Sequence, residues 1–168
     1  MSDQRDLQLA ATQLLAREAW LLDAREWQQW LSLYTADAEF WVPTWLDEDR
    51  VSDDPMTQLS FIYLEGLRQF EERIAKATDP RSPASLPMAR TTHILGPVLV
   101  EQAPAQTCTV ARCAWQSAVY DPKSRRQVFY SGRYEHELVG GPDDLRIRKK
   151  TITVINDEID SRLDFFYI

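Results

Sequence analysis

The chain has 168 residues, of which 44% are hydrophobic and 27% charged, with a formal net charge of −7. A chain of this length buries about 70% of its extended surface on folding, enough for a core without disulfide or metal staples, so one domain over residues 1–168 is expected. The acidic balance excludes the basic surface that nucleic acid requires, and no apolar run reaches the roughly 20 residues that cross a bilayer.

The opening, MSDQRDLQLA, is polar and offers no apolar signal segment, so the cytoplasm is the expected location. From Leu7 the positions Leu7, Ala10, Ala11, Leu14, Leu15, Ala19, Leu21 and Leu22 follow helical spacing and predict a first helix. Asp23 stands three residues before Glu26, the pattern of a capping box, which predicts the start of a second helix. On that helix Trp27, Trp30, Leu31 and Tyr34 form one aromatic face. Ala38 to Val42 is short, aromatic and stopped by Pro43, the pattern of an edge strand. An acidic loop follows, then a strand over Gln58 to Leu64, and Leu67, Phe70, Ile74 and Ala77 predict a third helix. Thr78 to Met88 holds three prolines and reads as an irregular connection.

The second half changes character. His93–Gln102, Gln106–Tyr120, Gln127–Val139 and Leu145–Asp157 are strand-like and parted by short turns at AP, DPKSR and GGPDD. Short turns demand antiparallel neighbours, because parallel pairs need long crossovers. In the third segment Val128, Tyr130, Gly132, Tyr134, His136 and Leu138 share one face. The fourth breaks its alternation, with Leu145 and Ile147 odd but Ile152 and Val154 even, so a bulge is expected near Lys149–Thr151. Helices first and a meander second predict an α+β fold, a curved sheet wrapped around amphipathic helices.

Few chemistries fit the residues available. Cys108 and Cys113 lie an odd number apart on one strand, hence on opposite faces, and are expected as buried, reduced thiols. Two cysteines and two histidines, none at ligand spacing, do not suggest zinc or an iron–sulfur cluster. The acidic run Asp47, Glu48, Asp49, Asp53 and Asp54 lacks the glycine and the ligand spacing of a calcium loop and reads as a solvated loop around Arg50. The basic run Arg146 to Lys150 alternates between faces and reads as a charged edge or a partner contact. An acid–base site remains open: His93 with Asp37 and Tyr34 could move a proton, as a dehydratase or isomerase requires. The competing reading is a buried, hydrogen-bonded histidine.

The segments EAWLLDAREWQQWLSLYTADAEFWVPTW, LSFIYL and RSPASLP, with RTTH after them, resemble the small (β) subunit of aromatic-ring-hydroxylating dioxygenases, most of all its benzoate and anthranilate branch. The likeness runs from about Glu18 to His93 and more loosely through the meander. It implies an NTF2-like (cystatin-like) cone, with N-terminal helices packed in a strongly curved antiparallel sheet. It further implies a non-catalytic role. The Rieske [2Fe-2S] cluster and the mononuclear Fe(II) would sit in a large α subunit, NADH would act through a separate reductase, and this chain would bind no cofactor or metal. Its partners would be the α subunit and two further copies of itself, in an α3β3-type oxygenase acting on an aromatic carboxylate. The alternative is a stand-alone NTF2-like dehydratase or isomerase.

An assembly role calls for apolar surface that a monomer would not expose. The tail LDFFYI, with Phe165, Phe166 and Tyr167, is one candidate, and docking on the chain's own sheet is the competing reading. Trp41 and Trp45, which flank Pro43, and Arg90 with Thr91 complete the interface candidates.

Overall fold

A computed structural model describes residues 2–82, 86–102, 108–159 and 163–168 of the chain. The N-terminal stripe folds as helix α1, Ser2–Ala24, with Leu7, Ala11, Leu14, Leu15, Ala19, Leu21 and Leu22 buried. Side chains three, four and seven apart return to one side of a helix with about 3.6 residues per turn, which is why one stripe reaches the core. Arg25 ends α1 in a left-handed conformation (φ 58°), and its guanidinium donates to the carbonyls of Met88 and Ala89 at 3.2 and 2.7 Å. A short helix α2, Trp27–Leu31, follows.

No capping box joins the two helices. Glu26 makes no side-chain cap on α2, and Asp23 belongs to the last turn of α1. Its carboxylate turns instead to Thr91 and His93, where three donors meet it in a half-buried place. Charge-assisted bonds there outweigh one bond to an exposed helix N–H.

Strand β1 spans Tyr34–Pro43 and begins earlier than the aromatic pattern predicts. It is also no edge strand. It lies between β2, Ser60–Glu65, on one side and β7, Arg146–Val154, on the other, parallel to β7. Tyr34 pairs with Ile147 and so leaves the helix that its spacing suggested. Helix α3, Leu67–Thr78, packs Phe70, Ile74 and Ala77 inward against β1 and β2.

The remaining strands are β3, Arg90–Leu95, β4, Leu99–Gln102, β5, Thr109–Asp121, and β6, Arg126–Val139. The sheet runs β2-β1-β7-β6-β5-β3, and β4 also pairs with β5. The single segment expected over His93–Gln102 is thus two strands on the two halves of β5. Pro97, which has no N–H to give a ladder, lies in the break. The expected turn at Ala103–Pro104 and the strand start at Gln106 lie outside the described residues.

Between β6 and β7 the register slips once. Leu138 faces Ile147 but Glu137 faces Lys149, so Arg148 is the extra residue. This bulge lies just before the expected position, and it has a consequence the alternation alone concealed. Ile147 points inward ahead of it, and Lys150, Ile152 and Val154 point inward after it. Lys150 is carried into the core by that shift of phase.

The tail closes the core. Phe165–Tyr167 form a 3-10 turn capped by Asp164, and Phe165, Phe166 and Ile168 are buried. Phe165 meets Trp27 and Trp30 at ring distances of 5.6 and 5.4 Å, and Phe166 meets Trp27 at 5.9 Å. Trp30 also packs on Tyr34, Phe40 and Phe70. Docking on the chain's own core is therefore the outcome for Phe165 and Phe166. The backbone carbonyl of Tyr167 accepts from Ser117, which holds this half-buried residue too.

Candidate functional site

Glu18 sits on the buried stripe of α1, between Leu14–Leu15 and Leu21–Leu22, and is 1% exposed. A carboxylate there is tolerable only if it is paired and fully hydrogen-bonded. Lys150 Nζ lies 2.9 and 3.0 Å from its two oxygens, Tyr34 Oη donates at 2.7 Å and Trp30 Nε1 at 3.2 Å. The ammonium rests 4.1 Å from the centre of the Tyr134 ring, so the aromatic face complements the same cation. His136 Nε2 stands 3.8 Å from Glu18 Oε2, too far for a hydrogen bond but close enough to act electrostatically.

The charge states follow from these contacts. Burial pushes the Glu18 carboxyl up, but Lys150 and His136 together outweigh it and hold it well below the usual carboxylate range. Burial, reinforced by the neighbouring Glu18, raises the phenols of Tyr34 and Tyr134. Burial lowers His136, with Lys150 adding to the effect against the pull of Glu18. The interior thus holds one ion pair beside a neutral imidazole.

A second acid–imidazole pair lies about five residues along α1. Asp23 Oδ1 is 2.7 Å from His93 Nδ1, Asp23 Oδ2 accepts from the His93 N–H at 2.8 Å, and Thr91 Oγ1 donates at 2.8 Å. Burial pushes Asp23 up, and the bonds from His93 and Thr91 reverse this to a net lowering. The partner of His93 is therefore Asp23. Asp37 is exposed on β1, and Tyr34 is bound to Glu18, so the proposed trio of His93, Asp37 and Tyr34 is not assembled. Asp37 fails because residues 34–37 are strand and not helix, so it does not share a helical face with Tyr34, and this irregular stretch of β1 leaves it exposed.

Acid should destabilise this interior. The native pKa values of Glu18, Asp23 and His136 all lie below their ordinary values, so each contributes stability that is complete above its unfolded pKa and lost as pH falls toward the native one. His136 enters below about pH 6.5 and the carboxyls below about pH 4.5. Thermal unfolding of the purified chain is expected to show a falling Tm between about pH 7 and pH 4. A Tm that rises over that range would contradict a neutral, buried His136.

The donor set does not suit an iron–sulfur or zinc centre. His93 Nδ1 is engaged by Asp23, His136 shares its pocket with the Lys150 ammonium, and burial pushes the Cys113 thiol up to about 11, away from the thiolate a metal needs. Cys108 is likewise buried, just ahead of β5. Among the described residues, no group of three or more His, Cys, Asp or Glu could hold a metal ion. Nor is any described helix long and apolar enough to cross a membrane.

The interface candidates are unequally placed. Trp41 is buried, with Nε1 donating to Ser60 Oγ at 2.9 Å and Lys149 over its ring. Trp45 is half-buried and donates to the Val154 carbonyl at 2.8 Å. Thr91 is held by Asp23, whereas Arg90 is exposed, its guanidinium 5.8 Å from the Tyr120 ring centre. The acidic loop is solvated, with Arg50 paired to Asp47.

Glu18 and Lys150 went unmarked in the sequence, although each left a signal. Glu18 fills the one polar position of a stripe spaced for burial, and Lys150 is in phase with Ile152 and Val154. The basic run reads as a surface edge only while the bulge is placed after Lys149.

A family model described as "Ring hydroxylating beta subunit" matches residues 17–161. The chain is 31% identical over 157 residues to the benzoate 1,2-dioxygenase subunit beta of Acinetobacter baylyi, covering 94% of this chain and 91% of that one. It is 34% identical to the 2-halobenzoate 1,2-dioxygenase small subunit of Burkholderia cepacia, covering 90% of each. The crystal structure of the beta subunit of the benzoate 1,2-dioxygenase from Burkholderia mallei superposes with a TM-score of 0.74 at 29% identity, over 94% of this chain and 95% of that one. With its N-terminal helices against a curved, open sheet, the chain belongs to the family of ring-hydroxylating dioxygenase beta subunits.

Proposed function

We propose that this chain is the structural small subunit of an oxygenase that hydroxylates a benzoate-type aromatic carboxylate. The observation that carries the reading is the likeness, over nearly its whole length, to small subunits named for benzoate and 2-halobenzoate dioxygenases. The interior supports it, since Lys150 neutralises Glu18 and the tail fills the aromatic end of the core. Oxygen chemistry then belongs to a large α subunit with a Rieske [2Fe-2S] cluster and a mononuclear iron, fed from NADH by a reductase. Three copies of this chain would form the base of an α3β3 assembly in the cytoplasm.

Contacts in such an assembly would draw on apolar side chains left exposed. Ile94 of β3 and Phe129 of β6 are both more than half exposed and share the outer face of the sheet with Arg90, and Trp20 stands out from α1. Of the aromatic interface candidates, Trp45 and Tyr167 retain some exposure.

Co-expression with a Rieske-type large subunit of a benzoate-class oxygenase is the test. A stable hetero-oligomer of both chains is the expected result, and ring hydroxylation should require it. Recovery of this chain as a separate species, indifferent to that partner, would reject the reading. The Asp23–His93 pair supports a second reading, a stand-alone acid–base enzyme such as a dehydratase or isomerase. Under it His93→Ala would abolish turnover by the isolated chain; under the scaffold reading that variant changes activity only as far as it changes assembly.

A further inference from the structure

The inward face of the sheet carries more hydrogen-bonding atoms than the protein around it satisfies. Across the register, the inward row His93–Ser117–Tyr130 adjoins Leu95–Trp115–Gly132–Val154, then Cys113–Tyr134–Ile152, then Ala111–His136–Lys150. On these four rows the Trp115 Nε1, the Tyr134 Oη, both ring nitrogens of His136 and the His93 Nε2 are buried with no hydrogen-bond partner in the protein. Three of these residues are direct neighbours. Trp115 and Tyr134 stack with centroids 4.9 Å apart, and Tyr134 meets His136 edge-on at 5.6 Å. Unmade bonds at five buried atoms would forfeit a large share of a domain's stability, and native proteins do not carry that load.

Donor and acceptor roles define what would satisfy them. His136, which burial keeps neutral, carries one ring N–H and one lone pair, and neither nitrogen has a partner in the protein. Trp115 Nε1 can only donate, whereas Tyr134 Oη does either. The occupant must therefore accept from the indole, donate to an imidazole and exchange with the phenol. Its charge is constrained as well. Glu18 and Asp23 stand on α1 about 7.5 Å apart along the axis, and the Lys150 ammonium is already committed to Glu18. Among the described residues, Lys150 is the only lysine or arginine on these inward rows, so an anion would face carboxylates beside an ammonium already paired.

We propose that the inward face of β5 and β6 beneath α1 is an internal water site, in which ordered water accepts from Trp115 Nε1 and links Tyr134 Oη to the imidazoles of His93 and His136. Its ligand class is a small neutral molecule that both donates and accepts, and aromatic carboxylates are excluded from it. Proteins hold on the order of one buried water per 27 residues, bound to two to four polar groups, so the site is of an ordinary kind. It does not depend on the scaffold reading above.

A crystal structure of the full chain, grown in water and soaked in parallel with benzoate, tests this. Ordered water is expected at about 2.7–3.2 Å from Trp115 Nε1 and from Tyr134 Oη or an imidazole nitrogen. Benzoate should leave that density unchanged. Water-oxygen relaxation of the same chain should count at least one fewer long-lived internal water in Tyr134→Phe than in the wild type. A dry interior in which these atoms turn to protein partners would overturn the proposal, as would benzoate in place of the water or an unchanged count in a folded Tyr134→Phe. Should that variant not fold, the wild-type density alone decides.

Discussion

Lys150→Met is expected to destabilise the purified chain by about 3–5 kcal/mol, read from the midpoint of urea unfolding. The substitution keeps the length and apolar stem of the side chain, so packing changes little. What it removes is the cation at 2.9 and 3.0 Å from a carboxylate that is buried from bulk solvent. Tyr34 and Trp30 would still donate to Glu18, but two neutral donors cannot replace an ammonium in a low-dielectric interior. Glu18 would respond by binding a proton, and the pH dependence of stability would move toward neutral pH. Adding Glu18→Gln should recover most of the loss, because an amide accepts from Tyr34 and Trp30 without a buried charge. The double variant is expected within about 1–2 kcal/mol of the wild type. A single variant that costs less than about 1 kcal/mol would mean that the pair is solvated and that β7 does not carry Lys150 inward.

That pair also marks where the sequence stops being legible. Periodicity exposes α1, α3 and the strands β5 and β6, since each repeats its apolar phase over enough residues to be read locally. The inward placement of His136 follows from the same alternation. Pairing of β1 with β7 is different. It joins Tyr34 to Ile147 across more than a hundred residues, in parallel, and no turn announces it. Pro43 then suggests an edge, although it stands at the end of an interior strand, where the register shifts and a missing N–H costs little. The candidate site fails for a related reason. His93 and Tyr34 were visible as titratable groups near the cone, but their true partners, Asp23 and Glu18, both lie on α1. In the sequence Asp23 reads as a helix cap, and Glu18 draws no reading at all.

Removing Phe165 to Ile168 is expected to unfold the chain or leave it expanded, and Phe165→Ala alone should cost about 3–5 kcal/mol. Phe165 is 1% exposed and touches Trp27, Trp30 and Phe166, so truncation leaves a void among rings that have few ways to close it. For a domain of this size the loss corresponds to a drop in Tm on the order of 10 °C, measurable by calorimetry. The same variant separates the two meanings of an aromatic tail. Were the tail a docking segment for another subunit, Phe165→Ala would leave the isolated chain as stable as before and weaken only the hetero-oligomer. Loss of stability in the isolated chain makes the tail a piece of this domain's core. Any failure to assemble with a large subunit would then follow from unfolding, and supplying the chain at a lower temperature should restore the complex.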